Sequence, residues 1–149
     1  MSGYIINGTD LERPWCRIVD FASSLVEPEG LGTFTRAAGV DGGGFVAKNY
    51  PPFEFPIQLI LLPYYDDGTE ATTASEREEQ FFANRATLVG HVSDPDAPLA
   101  VIRVTGPTFH EADCELARPL EFASVGPTAA RCVVTLRNLS GLWLPSTGS

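Results

Sequence analysis

The stretch "YIINGTDL" (residues 4–11) predicts how the first strands of the chain are arranged. Ile5 and Ile6 run into Asn7-Gly8, after which the chain leaves through a threonine. Asn-Gly between such flanks indicates a type I′ turn, because both central residues need a positive φ that Asn tolerates and Gly adopts without steric cost. The stretch therefore predicts a tight hairpin where chains usually fray. A hairpin at this position therefore needs further contacts that hold the terminus in place.

Length and composition indicate an ordinary folded protein. The 149 residues are most simply one domain, 1–149, and 44% of them are hydrophobic, which is enough for a core. No apolar run approaches the roughly 18 residues of a membrane span, and the start lacks the pattern of a signal peptide. The formal net charge of -9 argues against a nucleic-acid partner. We expect a protein made in the cytoplasm, with neither membrane nor specific nucleic-acid binding.

Most of the chain carries strand signals. After the hairpin, the stretches with strand character are 16–21, 54–65, 99–106, 114–125 and 130–144. In the second of these, Ile57, Leu59 and Leu61 share one face, whereas Ile60 and Leu62 share the other. A strand that is apolar on both faces is either buried on both sides or contacts a subunit partner.

One segment changes to a helical period. Ser75 and Glu78 have the spacing of a capping box, and Gly90 is a residue at which the helix can end. The spacing predicts an amphipathic helix over about 76–89. The residues of its mostly apolar stripe are Phe81, Phe82, Arg85, Ala86, Leu88 and Val89.

The sum of these elements is a mainly β fold, an antiparallel sandwich or barrel with one helix packed against it. The polar end of the sequence, 145–149, is expected to be flexible.

Two patterns suggest ligand chemistry and both are weak. The glycine-rich stretch "GVDGGGF" (39–45) is followed by strand character rather than by the Lys-Ser/Thr and helix of a phosphate loop, so a turn or a subunit-contact loop explains it better. His91, His110, Cys114 and Cys132 lack the two close ligand pairs of a zinc site. We expect no metal and no cofactor.

No catalytic motif stands out. The sequence contains no Gly-x-Ser-x-Gly, and the acidic cluster at 76–79 belongs to the start of the predicted helix. Cys16, Cys114 and Cys132 are odd in number and have no Cys-x-x-Cys spacing, so buried, reduced thiols are expected. We therefore expect a protein that is not an enzyme, although a fold can assemble a carboxylate pair from distant residues.

The order of these features resembles the N-terminal domain of the distal tail proteins of long-tailed bacteriophages. That family commonly starts with an apolar pair, Asn-Gly and a later Leu, and here Ile5, Ile6, Asn7, Gly8 and Leu11 match. A glycine-rich turn follows about thirty residues on, where Gly39, Asp41 and Gly42 match and Ala38 stands in place of the usual proline. The resemblance covers roughly residues 3–138.

The resemblance implies a structural virion protein and not an enzyme. Distal tail proteins form a ring, typically of six copies, between the tail tube and the machinery of the tail tip. Their ring domain is a β-sandwich of the tail-tube type with a flanking helix. Many carry a second, carbohydrate-binding-like domain, for which this chain ends too early. The implied partners are copies of the chain itself, the tail tube protein, the tail-tip proteins and, in the lumen, the tape measure protein.

A subunit interface would explain the held terminus and the strand that is apolar on both faces. The residues expected at such an interface are Tyr4, Ile5, Ile6, Asn7, Gly8, Asp41, Gly42, Gly43, Ile57, Leu59 and Leu61. Three alternatives remain open at this point: a tail tube or tail terminator subunit, a monomeric sugar-binding β-sandwich that uses exposed Trp15 or Trp143, and a small enzyme on a β scaffold.

Overall fold

A computed structural model describes residues 2–26, 34–35, 44–45 and 50–148. The strands are β1 (Ser2–Ile6), β2 (Thr9–Asp10), β3 (Cys16–Val19), β4 (Phe34–Thr35), β5 (Gly44–Phe45), β6 (Phe53–Leu61), β7 (Leu99–Thr105), β8 (Thr108–Leu116), β9 (Glu121–Gly126), β10 (Ala129–Asn138) and β11 (Leu144–Pro145). One α-helix, α1 (Ala74–Val92), and a short 3₁₀ turn at Phe21–Ser24 complete the described elements. All the pairings are antiparallel, so the mainly β fold class with one helix is confirmed.

The first hairpin is present as predicted. Asn7 has φ 50° and Gly8 has φ 80°, the positive values that a type I′ turn needs. Ile6 pairs with Thr9 across the turn, and Ile5 pairs with Asp10.

Contacts within the chain hold this hairpin in place. β1 pairs along its whole length with β7, from Ser2 opposite Thr105 to Ile6 opposite Val101. The turn is tied to β7 as well, since Asn7 Oδ1 accepts a hydrogen bond from the Ala100 N–H at 2.9 Å and the Asn7 N–H donates to Ala100 O at 2.8 Å. The asparagine thus supplies both the turn geometry and an anchor.

The sheet consists of two parts that share a short junction. One part is β2-β1-β7-β8 and the other is β9-β10-β6-β3. They join where the last residues of β8 pair with the last residues of β10, from Cys114 opposite Asn138 to Leu116 opposite Leu136. Tyr4 of the first part stacks on Phe55 of the second with ring centroids 5.9 Å apart, so the two parts face each other across a common core.

Alternation along β6 and β10 builds one wall of that core. Phe55, Ile57, Leu59 and Leu61 of β6 have no exposed surface, and the same is true of Cys132, Val134 and Leu136 of β10. The intervening residues of β6 are only half-buried. The inward face of β6 is therefore covered by this chain, which corrects the expectation that Ile57, Leu59 and Leu61 meet a partner.

The helix is longer than predicted at both ends. It begins at Ala74 and is capped by Thr73, whose hydroxyl accepts the Glu76 N–H at 3.1 Å. The capping pair is therefore Thr73–Glu76 and not Ser75–Glu78, because Thr73 adopts the extended backbone that a cap needs. Gly90 does not end the helix, which continues to Val92. No helix among the described residues is long and apolar enough to span a membrane.

The buried stripe of α1 also differs from the prediction. Its buried residues are Phe81, Asn84, Leu88 and Val92, whereas Phe82 is 53% exposed and Val89 is 39% exposed. The prediction missed Asn84 because its amide is polar. In the fold, that amide donates to the carbonyls of Leu62 (3.0 Å) and Tyr64 (2.9 Å), which lie just beyond β6.

Residues 144–146 are bonded to β8 at the start of the segment 145–149 that the sequence predicts to be flexible. Leu144 and Pro145 pair with Glu111 and His110 of β8. The Ser146 N–H then donates to Phe109 O at 3.0 Å.

All three cysteines are free and buried, as predicted. Burial raises the pKa of Cys16, Cys114 and Cys132 from 9.0 to about 12. Each thiol therefore stays protonated in the folded state between about pH 9 and 12. In the unfolded chain the same thiols ionise over this range.

We expect two results from these pKa values. At pH 8 the native protein should react with Ellman's reagent far more slowly than the protein in denaturant, which exposes three thiols. The free energy of unfolding should fall above pH 9, by up to about 1.4 kcal/mol per pH unit for each thiol, because the unfolded state is then the one that ionises. Fast labelling of any cysteine in the native protein would contradict this account.

Candidate subunit interface

The residues considered for metal binding or catalysis do not come together. The His91 Nε2–H donates to Ile6 O at 2.9 Å, so this histidine ties α1 to β1. His110 and Cys114 both lie on β8, while Cys132 lies in the core on β10. Within residues 2–26, 34–35, 44–45 and 50–148, no three His, Cys, Asp or Glu side chains are grouped so that they could hold a metal ion.

The residues predicted for an interface separate into three sets. Tyr4, Ile6, Ile57, Leu59 and Leu61 are at most 2% exposed and face the core of their own chain, so no surface of these side chains is left for a neighbour. Asp41, Gly42 and Gly43 lie outside the described residues. The remaining three residues occupy the hairpin surface, where Asn7 and Gly8 are exposed and Ile5 is half-buried.

An interface made by strand pairing needs a free strand edge, and most of the edges are short or blocked. β2 and β11 have two residues each. The outer edge of β3 is blocked by Glu12, whose carboxylate accepts the N–H of Ile18 at 2.9 Å. Short strands and side chains that occupy edge amides prevent pairing with another chain.

β9 has the longest free edge in the described part of the chain. It has six residues and pairs with β10 alone, with a bulge opposite Ala129 and Ala130. Val125 near its end is 52% exposed. An edge of this length can accept a strand from another molecule.

An apolar flank of α1 lies beside this edge. The guanidinium carbon of Arg85 stands 4.0 Å from the ring centroid of Phe122, which connects the helix to β9. Phe82 and Val89, seven residues apart, lie on the same flank of the helix as Arg85. We define the β9–α1 surface by the exposed Phe82, Val89 and Val125 together with Phe122, which is half-buried and packs against the core. The aromatic and aliphatic residues of this surface are typical of an interface core.

The outer face of β6, β10 and β8 is charged. Glu54 lies opposite Arg137, which in turn lies opposite Glu115 and binds it at 2.8 Å. Arg118 Nη2 donates to both carboxylate oxygens of Glu54 at 2.8 and 3.1 Å, which holds the pKa of Glu54 below its usual value. These pairs are exposed and contribute little to stability, but they distinguish this face from the apolar β9–α1 surface.

Sequence reasoning missed the β9–α1 surface. It placed Phe82 and Val89 in the buried stripe of the helix, because apolar residues with helical spacing are usually buried. It gave Val125 no role, because a single exposed valine is common on protein surfaces.

No protein-family model matches this chain, and no curated protein matches it in sequence. A solved structure is similar to it over nearly its whole length: the crystal structure of Dit (gp 19.1) from phage SPP1, described as a paradigm of the hub adsorption apparatus of phages that infect Gram-positive bacteria. The TM-score is 0.56 at 12% sequence identity, and the match covers 98% of this chain. The chain spans only about half of that protein, 53% of its length. At this identity the likeness shows a common fold.

Proposed function

We propose that this chain is a structural subunit of a bacteriophage tail, which forms a ring at the distal end of the tail between the tube and the tip. One observation carries the proposal: the chain is similar in structure to a phage hub protein, with a TM-score of 0.56 over a match that covers 98% of the chain. The order of the sequence motifs, which resembles that of the distal tail proteins, supports the same class of protein. The β9–α1 surface supplies what a ring subunit needs, a free strand edge beside exposed apolar residues.

A closed ring requires a heterologous contact, in which two different surfaces of the same chain meet. The β9–α1 surface is proposed as one of the two. The exposed turn of the first hairpin, with Ile5, Asn7 and Gly8, is proposed as a further contact region. Six copies is the stoichiometry that the family resemblance implies.

The proposed partners are the tail tube protein on one side of the ring and the tail-tip proteins on the other. The tape measure protein would occupy the lumen before DNA passes. A net charge of -9 suits a channel for DNA, because like charge discourages contact with phosphate groups. The protein would be made in the cytoplasm of the host bacterium and would end at the tip of the virion tail.

The sugar-binding alternative needs exposed tryptophan rings, and neither Trp15 nor Trp143 presents an open ring face. Trp15 is 3% exposed and donates its Nε1–H to Asp66 at 2.7 Å. Trp143 is half-buried, with the guanidinium of Arg103 over its ring and an edge contact with Phe55 at 5.4 Å between ring centroids. A tail tube or terminator subunit remains the second candidate, because the family resemblance gives those proteins the same type of fold.

Electron microscopy of the purified protein and of the virions that contain it tests the proposal. We expect rings in solution or, if assembly needs a tube end, a single ring per virion at the distal end of the tail. Many copies along the tube would assign the chain to the tail tube instead, and a ring at the head-proximal end would assign it to the terminator. Absence from purified virions would contradict all three tail assignments.

A further inference from the structure

A groove lies on the outer face of the first part of the sheet. Tyr4 of β1 faces the core, so Gly3 and Ile5 on either side of it lie on the opposite face. Val104 and Phe109 lie on that outer face as well, because Val104 is directly opposite Gly3 on one side and Phe109 on the other. The groove has a volume of about 190 Å³, and its lining residues are Ser2, Gly3, Tyr4, Ile5, Asp10, Glu12, Val104, Gly106 and Phe109.

The size and lining of this groove suit a side chain of a protein partner. Its volume lies below the roughly 300–1,000 Å³ of sites for drug-sized ligands. Its floor is apolar, since Ile5, Val104 and Phe109 all contribute to it. Surface pockets of this kind receive the aromatic or aliphatic anchors of protein interfaces.

One carboxylate of the groove has no charged partner. Asp10 is exposed and lies directly opposite Ile5. The other acidic residue, Glu12, uses its carboxylate to accept the N–H of Ile18 at 2.9 Å. The ion pairs in the described part of the chain use the carboxylates of Glu12, Glu54, Glu70 and Glu115. Asp10 therefore adds an unpaired negative charge to an apolar groove.

The flank of α1 that belongs to the β9–α1 surface has the complementary chemistry. Phe82 is 53% exposed, more than any other aromatic side chain in the described residues. Arg85 follows it by three residues, so the two side chains are neighbours on the helix. The guanidinium of Arg85 stacks on Phe122, which leaves the N–H groups at its edge available, and it makes no ion pair with another described residue. An exposed aromatic ring thus lies beside an unpaired positive charge.

We propose that the groove receives Phe82 of a second copy of the chain, and that Arg85 of that copy pairs with Asp10. The aromatic ring would cover the apolar floor, and the guanidinium would supply the charge that Asp10 lacks. Because the two surfaces are different regions of the chain, the contact is heterologous and can repeat from copy to copy until a ring closes. The inference rests on the proposed function, since it names the surface that the β9–α1 surface meets. The groove is continuous with the hairpin turn through Ile5.

Charge reversal on each side tests the contact by sedimentation. Asp10→Arg and Arg85→Glu each bring like charges together, so we expect each to lower the association constant of the contact about tenfold or more. The double variant Asp10→Arg/Arg85→Glu restores an opposite pair in every contact. Its association constant should return to within about threefold of that of wild type, because the two changes are coupled.

Glu111→Arg/Arg85→Glu is the matched control. It carries the same charges as the double variant, but Glu111 lies on β8, three strands from Asp10 in the sheet. This control should associate as weakly as Arg85→Glu alone. If it recovered as fully as Asp10→Arg/Arg85→Glu, the effect would be one of overall charge and the proposal would be overturned.

Cross-linking gives a second readout that leaves Arg85 and its contact with Phe122 intact. Ser2 is exposed and lines the groove. We expect Ser2→Cys/Phe82→Cys, treated with a short bismaleimide, to give a ladder of covalent oligomers, because each copy then carries both halves of the contact. The single-cysteine variants and Glu111→Cys/Phe82→Cys should give no ladder, since the native thiols are buried. Where assembly needs a tube end, the ladder is read from virions that carry the variant.

The outcomes separate this contact from the proposed function. Rings at the distal end of the tail that show neither the charge rescue nor the ladder would overturn the contact and keep the ring. A covalent dimer without longer oligomers would mean that two copies exchange the contact reciprocally. That result would support the insertion of Phe82 into the groove and contradict the ring. Copies that assemble neither in solution nor in virions would overturn both.

Discussion

Gly141→Ala should lower the free energy of unfolding by about 2–6 kcal/mol, since backbone strain and overpacking each cost on the order of 1–3 kcal/mol. Gly141 has φ +73°, and a Cβ at this position would lie 2.2 Å from Tyr50 O and 2.6 Å from Pro51 O. Both are backbone atoms just before β6, so they cannot move aside as the end of a flexible side chain would. Urea unfolding followed by circular dichroism measures the change.

The loop around Gly141 is also held from within. Asn138 is fully buried, and its Oδ1 accepts the backbone N–H groups of Ser140 (3.2 Å) and Gly141 (3.1 Å). Moving the loop away from Tyr50 would break these bonds, so relaxation offers little relief.

Gly90→Ala is the control for this variant. Gly90 lies inside α1, where an added Cβ has open space and φ is not positive. Alanine there should stabilise the protein by about 0.5–1 kcal/mol through helix propensity. If Gly141→Ala changed stability no more than Gly90→Ala does, the close packing of this loop on Tyr50 and Pro51 would be wrong.

Lysine on the β9–α1 surface should abolish ring assembly while leaving the subunit folded. Val125→Lys and Phe82→Lys place a charge at positions that are 52% and 53% exposed in the single chain. Folding should tolerate both changes, because surface substitutions usually alter stability by no more than about 0.5 kcal/mol. In an interface the same charge would be buried without a partner, so we expect the association constant of each contact to fall about 100-fold or more.

Leu144→Lys is the matched control for this experiment. Leu144 is 54% exposed, but it lies on β11, which is outside the β9–α1 surface. Light scattering coupled to size exclusion measures the fraction in rings, and circular dichroism confirms the fold of each variant. Equal loss of rings in all three variants would indicate a general effect of added charge. No loss in Val125→Lys and Phe82→Lys would place the ring contact elsewhere.

The sequence predicts the local features well, because short-range chemistry determines them. Asn7-Gly8 is sufficient to predict a type I′ turn, and the alternation of Cys132, Val134 and Leu136 is sufficient to identify the inner face of β10. The helix was predicted from its period, but its boundaries were not. Ser75 and Thr73 offer nearly equivalent caps, so the helical period alone does not decide at which residue the helix begins.

What depends on non-local contacts could not be predicted. Nothing near Asn7 in the sequence indicates that its side chain binds Ala100, so the held terminus was assigned to a neighbouring subunit. Asn84 is a polar residue that the sequence predicts to be exposed. It is buried in the fold because its amide donates to two backbone carbonyls just beyond β6. The β9–α1 surface could not be predicted either, because it too depends on contacts between distant parts of the chain. Whether Phe82 is buried depends on which flank of α1 the sheet covers, and the periodicity of the helix is compatible with either flank.

The pairing of β1 with β7 has a consequence for biosynthesis. Thr105, the partner of Ser2, is translated about 100 residues later than Ser2, roughly 5–20 s at about 5–20 residues per second. During that interval β1 lacks its partner strand β7, and its backbone can pair with other nascent chains. Slower translation or a chaperone that binds nascent chains should therefore change the soluble yield of this protein more than that of a helical protein of equal length.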